Sequence, residues 1–354
     1  MISYIKKLFS FKSQIKSYED LNGVELADAI FNNLIVEKRV PSLSVTILHK
    51  GQAVLQKGYG YADLEKGLKI KPKDTVYRIA SVSKCITGLA FGKMVEDGIV
   101  GFDDSFYKYV PDYPKKKYDF TLRQLAGHSA GIRGYRGKEF ALNQPFTIKD
   151  STTVFKNDPL VFEPNKGYLY NSFDFVLLSL AMQVACGVPF EDYVQNQVLE
   201  PLGLQNTYVP DSETFENSVQ FYTKTATLFK TAIDVNNYYK LAGGGYLSTS
   251  TDIAKFGQAV LGQKLLQPET YDELLTAQTI KERSTYYGLG FQVSQDNMGN
   301  HFVGHVGNSV GAYTNFFVYP DSQLVISILI NCTDPKVQTE LDMAITALNN
   351  LYDS

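Results

Sequence analysis

The sequence predicts an α/β protein of the α+β kind, with one antiparallel sheet assembled from both ends of the chain and flanked by helices. Strand patterns occur near both ends, between residues 41 and 60 and again between 287 and 331. Helix and loop patterns fill most of the chain between them. We therefore expect an N-terminal tail at 1–20, a sheet domain made of 21–98 and 236–354, and a mainly helical inserted domain at 99–235, with a functional site between the two domains.

The first elements follow from the spacing of their apolar residues. Residues 24–36 place apolar side chains on one face of a helix. The segment PSLSVTILHKGQAVLQKGYG has alternating side chains on both sides of a Lys-Gly turn, which predicts a β-hairpin. From Ser81 to Gly98 the pattern SVSKCITGLAFGKMVEDG is again helical. The hairpin and this helix supply the N-terminal half of the sheet domain.

The later elements follow in the same way. Helices are predicted at 121–126 and 172–185, and another begins after a glycine triplet, where Thr249 and Asp252 have the spacing of a capping box. Four strand patterns then occur, separated by turn signals: YGLGFQV, HFVGHVG, YTNFFVYP and LVISILIN. A final helix is predicted at 339–351.

Composition excludes several classes of function. A net charge of −3 and a pI of about 5.9 provide no basic surface for nucleic acid. No stretch approaches the roughly 20 apolar residues of a transmembrane segment. Three separated cysteines form neither a disulfide framework nor a zinc motif, which favours a reducing, cytoplasmic location. No motif requires a metal or an organic cofactor.

The basic N-terminal tail leaves the location open to alternatives. Its longest apolar run is too short for a signal peptide. Its apolar residues could form one helical face that attaches to a membrane surface, although a helix docked on the protein or a frayed tail is the favoured interpretation; these residues are Ile2, Ile5, Leu8, Phe9 and Ile15. Export is the other alternative.

The pentapeptide GHSAG, at 127–131, matches the G-x-S-x-G nucleophile elbow. That elbow needs a strand before the serine and a helix after it. The preceding DFTLRQLA instead predicts a helix that begins at Thr121, and three glycines between residues 131 and 137 oppose a helix after the serine. The sequence therefore disfavours Ser129 as a nucleophile.

A second candidate nucleophile lies in an S-x-x-K motif. Four such pairs occur, but only Ser81 and Lys84 lie at the start of a well-patterned helix. The free N–H groups of a helix N-terminus stabilise an oxyanion, and Lys84 lies one turn later on the same face. Burial would lower the lysine pKa so that it can accept the serine proton. An N-capping serine with a lysine nearby is the equally weighted alternative.

Two further segments could complete a site around Ser81. Tyr170 precedes a helix, with Ser172 two residues later, and a phenolate held near cations can act as a general base. A strand carries His305, Val306 and Gly307, where the glycine permits a close approach and the next N–H, on Asn308, could point into the site. Taken singly, a packing tyrosine and a structural histidine are the commoner interpretations.

In this order the three segments resemble the serine β-lactamase and penicillin-binding-protein superfamily, on the branch nearest class C β-lactamases. RIASVSKCITGLAFGKMVEDG is similar to its nucleophile helix, PDYPKKKYDFTLRQLAGHSAGIRGY to its T-x-R-x-L-L-x-H-x-S-G loop and GGGYLSTSTDIAKF to its GG-x-x-S-T segment. The resemblance spans about residues 24–335. It implies a β-lactamase/transpeptidase-like fold.

The resemblance also implies roles for individual residues. Ser81 would be the acylated nucleophile, Lys84 its proton partner and Tyr170 the general base of acylation and deacylation. The backbone N–H groups of Ser81 and Asn308 would form the oxyanion hole. Substrate binding would fall to four residues: Ser172, His305, Val306 and Gly307.

Two departures from the family pattern bear on the substrate. Ser172 replaces the asparagine of Y-x-N, and Val306 lacks the hydroxyl that usually helps to bind a substrate carboxylate, while His305 keeps only a weak potential cation. We expect a serine hydrolase that acts through an acyl-enzyme on a peptide or an ester, with weak or no β-lactamase activity. The alternative is a catalytically weak scaffold or ligand sensor that self-associates into homo-oligomers.

Overall fold

A computed structural model of the protein describes residues 14–210, 217–226 and 228–352. The predicted apolar face of the N-terminal tail lies outside these residues except for Ile15, whose side chain is 63% exposed. The α-helices, in chain order, are α1 (Gly23–Val36), α2 (Ser83–Glu96), α3 (Phe106–Tyr109), α4 (Leu122–Ala126), α5 (Ile148–Ser151), α6 (Phe173–Cys186), α7 (Phe190–Val194), α8 (Ser250–Leu261), α9 (Pro268–Leu275) and α10 (Gln338–Tyr352).

The strands are distributed towards both ends of the chain, as the sequence predicts. They are β1 (Ser42–His49), β2 (Gln52–Asp63), β3 (Leu68–Lys69), β4 (Tyr77–Arg78), β5 (Tyr222–Lys224), β6 (Phe229–Thr231), β7 (Leu247–Ser248), β8 (Thr279–Ile280), β9 (Arg283–Ser284), β10 (Gln292–Gln295), β11 (His301–Ser309), β12 (Ala312–Tyr319), β13 (Leu324–Ile330) and β14 (Cys332–Thr333).

One antiparallel sheet of seven strands organises the protein, in the order β10-β11-β12-β13-β1-β2-β3. Its two halves meet where β1 pairs with β13, with Leu43 opposite Ile330 and His49 opposite Leu324. This junction confirms the prediction of a sheet assembled from both ends of the chain. A separate sheet of three strands is formed by β14, β5 and β6. Strands β5 and β6 lie within the region predicted as helix and loop.

Helices cover both faces of the sheet and explain why its central strands are buried along their whole length and mostly apolar. Every residue of β12 and β13 is buried. Along β13, Val325 and Leu329 join the core on the side of α2 and α8, whereas Ile326 and Ile328 join the core on the side of α1 and α10. Because strand side chains alternate between faces, a strand covered on both faces carries apolar residues at most positions on both sides.

The helix boundaries agree with the sequence to within a few residues, apart from one cap. Thr121 caps α4, and Gln124 returns the hydrogen bond, which completes a capping box. Thr249 likewise accepts the N–H of Asp252 at the start of α8, but the Asp252 carboxylate accepts from the N–H of Asn206 instead. The capping box predicted from Thr249 and Asp252 is therefore only half formed, because the loop that carries Asn206 competes for the Asp252 carboxylate.

One predicted strand is shorter than expected. The pattern YGLGFQV becomes a strand only from Gln292, because Gly290 takes a left-handed φ of +94° where the chain crosses α2. An ideal Cβ at Gly290 would lie 2.6 Å from the carbonyl oxygen of Lys84. This crossing segment therefore packs against the helix that carries the candidate site.

Within the described ranges, no single helix is long and apolar enough to cross a membrane. The segments Phe173–Cys186 and Phe190–Leu199 meet the length and composition of a span only when taken together, across a bend of 80°.

Candidate active site

Ser81 lies in a tight turn that leads into helix α2. The 3₁₀ turn Ala80–Val82 precedes the α-helix, which begins at Ser83, so Ser81 stands just before the helix instead of opening it. Ala80 adopts a left-handed φ of +48°, a conformation that costs free energy for a residue with a side chain. The strained turn presents the Ser81 hydroxyl at the end of a helix whose own side chains are almost all buried.

Lys84 is buried directly beneath the Ser81 hydroxyl. Its Nζ lies 3.3 Å from Ser81 Oγ and 3.4 Å from Ser172 Oγ, and it donates to the carbonyl oxygen of Gly243. Burial, and secondly the positive charge of Lys240, lower the Lys84 pKa to about 7. A substantial fraction of Lys84 is therefore neutral at physiological pH and able to accept a proton.

Ser172 contributes to the site through Lys84. It stands immediately before α6, yet its hydroxyl makes no capping hydrogen bond and accepts from Lys84 Nζ instead. The Ser172 hydroxyl supplies this 3.4 Å contact where the family pattern has an asparagine.

Tyr170 completes the contacts of the Ser81 hydroxyl. Its phenol donates to Ser81 Oγ over 2.6 Å, and its ring centroid lies 4.8 Å from Lys84 Nζ. Burial raises the Tyr170 pKa far above its ordinary value, and neighbouring tyrosines add to this effect. We therefore expect Tyr170 to rest as the protonated phenol, because the Lys84 beside it is itself desolvated and provides too little positive charge to stabilise a phenolate.

Strand β11 runs past Ser81 with a partly open edge. Strand β10 covers it only from His301 to Gly304. Beyond that point the Val306 N–H faces the open edge, where it donates to Gln292 Oε1 at 3.0 Å. Backbone N–H groups two residues apart point to the same side of a strand, so the Asn308 N–H also faces this edge. Asn308 and Ser81 line the same small cavity.

Gly307 allows β11 to approach the Ser81 turn. An ideal Cβ at this position would lie 2.1 Å from Thr314 Oγ1 and 2.7 Å from the carbonyl oxygen of Ile79. Thr314 Oγ1 in turn donates to that Ile79 carbonyl, so the contacts surround the glycine closely. The chain needs glycine here because no side chain fits between the strand and the turn.

Replacing Gly307 with alanine is expected to displace the Ser81 turn. The free energy of unfolding should fall by about 2 kcal/mol, because overpacking a close contact forces the backbone apart. The kcat/KM should fall about 100-fold, because a displacement of 1 Å disturbs the reacting geometry. Urea unfolding and steady-state kinetics measure the two effects. Gly134→Ala is the matched control, since its added Cβ would meet only Asn171 Cβ, at 3.9 Å.

His305 is neutral, which corrects the expectation of a weak cation. The ring is buried, and its pKa falls to about 3 because of burial and the nearby positive charge of Lys84. Nδ1 lies 2.7 Å from the Val306 carbonyl, and a carbonyl only accepts, so Nδ1 carries the proton. Nε2 then accepts from the Tyr287 hydroxyl at 3.1 Å. His305 thus contacts the tyrosines beside Ser81 without contributing charge.

Val306 is the predicted site residue whose side chain the structure turns away. Its neighbours His305 and Gly307 face the Ser81 turn, so strand alternation directs Val306 to the opposite face. There it packs against the core beneath α1 and α10. The Val306 side chain therefore does not line the cavity beside Ser81, which corrects its assignment to substrate binding.

The GHSAG segment contributes to the site through His128, which contacts Asp174 and the ring of Tyr170. His128 Nδ1 lies 2.8 Å from Asp174 Oδ2, and Asn171 donates to the same carboxylate oxygen at 2.7 Å. The His128 ring centroid lies 4.7 Å from that of Tyr170, so this buried pair holds the segment that carries the phenol. Ser129 Oγ donates to Asn165 Oδ1, which fits a structural role.

Two groups near Ser81 were missed by sequence reasoning. Asp174 lies in the first turn of α6, where no motif indicates a role in the site, yet it anchors His128. Lys240 is buried and lines a cavity of about 60 Å³ next to Ser81. It lies three residues before the glycine triplet at 243–245, which is the one local signal that could have drawn attention to it.

Comparison with known proteins decides the family. A family profile described as Beta-lactamase matches residues 27–350. The chain belongs to the Beta-lactamase family. Membership in this family implies a serine hydrolase, and it agrees with the segments through which the sequence resembles that superfamily.

Individual relatives extend across most of this Beta-lactamase family chain. It is 28% identical to the human serine beta-lactamase-like protein LACTB, mitochondrial, over 84% of the chain and 72% of that protein. It is also 24% identical to penicillin-binding protein 4* of Bacillus subtilis, over 87% of the chain and 71% of that protein.

A solved structure shares the same fold. The D-amino acid amidase of Ochrobactrum anthropi SV3, complexed with L-phenylalanine amide, superposes with a TM-score of 0.78 at 21% identity. The likeness covers 92% of this chain and 98% of the amidase. The predicted β-lactamase/transpeptidase-like fold is thereby confirmed.

Proposed function

We propose that this protein is a serine hydrolase that forms an acyl-enzyme at Ser81 with a small-molecule or peptide substrate, through an amide or ester bond. One observation carries the proposal: Ser81 Oγ lies within hydrogen-bonding distance of both Lys84 Nζ and the Tyr170 phenol. A nucleophile that contacts a lysine of lowered pKa and a protonated phenol has both a base and an acid at hand.

Acylation uses these groups in a closed proton relay. Neutral Lys84 takes the proton of Ser81 as Oγ bonds to the substrate carbonyl. The N–H groups of Ser81 and Asn308 stabilise the resulting oxyanion. Tyr170 then gives its proton to the leaving group as the scissile bond breaks, and Lys84 returns a proton to the phenolate. Lys84 and Tyr170 end with the protons they had at the start. Ser81 carries the acyl group, and its proton has in effect passed to the leaving group.

Deacylation runs through the same residues in reverse. Water passes a proton through Tyr170 to Lys84 while its oxygen bonds to the acyl carbonyl. The bond to Ser81 Oγ then breaks, and Lys84 returns a proton to the serine. The Tyr170 phenol is the group placed to do this, because it contacts Ser81 Oγ directly.

We further propose that β-lactams are poor substrates. A penicillin carries its carboxylate on the leaving-group side of the bond that opens. The leaving group must lie next to Tyr170, where the nearby His305 is neutral and supplies no positive charge. An unpaired carboxylate in this position weakens binding. The solved relative that is named for an amide substrate is consistent with an amide or ester in this chain.

Active-site labelling tests the proposal. Wild-type protein, Ser81→Ala and Ser129→Ala are treated with a fluorescent fluorophosphonate and with a fluorescent penicillin. We expect the fluorophosphonate to label wild type and Ser129→Ala but not Ser81→Ala, and the penicillin to label weakly. Labelling that disappears with Ser129→Ala would place the nucleophile in GHSAG. An unlabelled but folded wild type would support the scaffold alternative.

A further inference from the structure

The cavity beside Ser81 contains a buried lysine, Lys240, that the hydrolytic mechanism does not use. Lys240 is only 5% exposed, and its Nζ makes a 2.6 Å hydrogen bond to the carbonyl oxygen of Phe140. An ammonium group has three donors, so this one acceptor leaves it undersatisfied. The ring centroids of Tyr135 and Tyr239 lie 5.5 and 5.3 Å from Nζ and give only weak additional stabilisation.

No carboxylate offsets this charge within the part of the chain that the structure describes, where the ion pairs involve other residues. Burial lowers the Lys240 pKa to about 7, and the second cause is another positive charge, that of Arg78. Arg78 itself donates to the carbonyl of Val310 and lies over the ring of Phe221. A buried cation without a counter-ion is costly unless a bound anion compensates it.

A second polar group in the cavity also lacks a partner. Ser309 lines the cavity, and its buried Oγ has no hydrogen-bond partner among the described residues. Buried hydroxyl groups are normally hydrogen-bonded. Lys240 and Ser309 both line the cavity, so a carboxylate bound there could accept from the Lys240 ammonium group, which the anion itself would help to keep charged, and from the Ser309 hydroxyl.

The position of Tyr170 shows which part of a substrate would enter. The cavity is lined by residues that include Ser81, Ser172 and Asn308, but Tyr170 is not among them. Tyr170 must protonate the leaving group, so the leaving group lies on the tyrosine side of Ser81. The acyl part of the substrate therefore extends into the cavity with Lys240.

We propose that Lys240 selects substrates whose acyl group ends in a carboxylate, so that the enzyme hydrolyses amides or esters of short dicarboxylic acids. The inference rests on the proposed hydrolase function and specifies its substrate class. The cavity is small, about 60 Å³, which favours a short acyl chain that ends in the carboxylate. Succinyl and glutaryl groups are such chains.

A kinetic comparison tests the selectivity. The substrates are the mono-4-nitrophenyl esters of succinic, glutaric and adipic acids and, for each, the neutral analogue in which a carboxamide replaces the free carboxylate. Rates are corrected for spontaneous hydrolysis. We expect wild type to favour at least one acid over its amide by about tenfold or more in kcat/KM, the effect of a charge-assisted hydrogen bond. Lys240→Met should abolish the preference, whereas the exposed Lys264→Met should retain it.

A binding measurement separates this inference from the hydrolase itself. Calorimetry follows the binding of glutarate and of its uncharged diamide to Ser81→Ala and to Ser81→Ala/Lys240→Met. We expect the single variant to bind glutarate more tightly and the double variant to lose that difference. Hydrolysis with equal rates on acid and amide would overturn the Lys240 inference and leave the hydrolase intact. Glutarate binding that depends on Lys240, without any hydrolysis by wild type, would overturn the hydrolase instead.

Discussion

The Lys84→Met variant should lose about 1,000-fold or more in kcat/KM, because a positioned general base contributes between about 10² and 10⁴ to the rate. Methionine keeps the length of the side chain and removes the group that accepts the Ser81 proton. The wild type should show the matching pH dependence. Its kcat/KM should rise as pH increases through about 7, where Lys84 loses its proton, and then reach a plateau.

Two measurements identify Lys84 as the ionising group. Lys240→Met should shift the rising limb to higher pH, because the charge of Lys240 helps to lower the Lys84 pKa. Folding provides the control for Lys84→Met. A lysine with a lowered folded-state pKa destabilises the protein progressively as pH falls from its unfolded value towards 7. The methionine variant should therefore melt no lower than wild type at pH 6.5. A flat pH–rate profile in the wild type would contradict the role of Lys84.

The Tyr170→Phe variant should lose activity unequally on two kinds of substrate. The phenol protonates the leaving group, which an amine requires and a nitrophenolate does not. We expect kcat/KM to fall about 1,000-fold for a 4-nitroanilide but only about tenfold for a 4-nitrophenyl ester with the same acyl group. Because kcat/KM reports acylation when the acyl-enzyme forms irreversibly, the comparison isolates the acid step.

Tyr287→Phe is the matched control for this experiment. It also removes a buried phenol near the site, but Tyr287 donates to His305 and makes no hydrogen bond to Ser81. Its loss should be modest and equal for the two substrates. Equal losses on anilide and ester in Tyr170→Phe would show that Tyr170 positions Ser81 without protonating the leaving group.

The candidate nucleophile was accessible from sequence because its signals are local. A serine before a helical pattern, followed one turn later by a lysine, can be recognised within four residues. In the structure, Lys84 Nζ contacts Ser81 Oγ. The sheet was predictable for the same reason, since each strand carries its own alternation. Strand alternation also predicts the orientation of the Val306 side chain. If His305 and Gly307 face Ser81, the residue between them faces the opposite side of the sheet.

The charge states of the site residues and their long-range partners could not be predicted from local sequence patterns. The neutral His305 and the protonated Tyr170 result from burial, which depends on groups far away in the chain. Lys240 reaches the cavity through a turn before α8, and Asp174 meets His128 across 46 residues of sequence. The half-formed cap at Thr249 has the same origin, because Asn206 competes for Asp252 only after folding.

The pairing of β1 with β13 has a consequence for how the protein acquires its activity. Residues 43–49 find their partners only at 324–330, so the central strand pair closes a loop of nearly the whole chain. Contacts of such long range form slowly. Strand β11, which brings the Asn308 N–H to the Ser81 turn, belongs to the half of the sheet that joins the N-terminal strands only through this pairing. We therefore expect the Ser81 site to be complete only after residues 292–330 have folded onto β1, so that its reactive serine and its oxyanion-stabilising N–H come together late in folding.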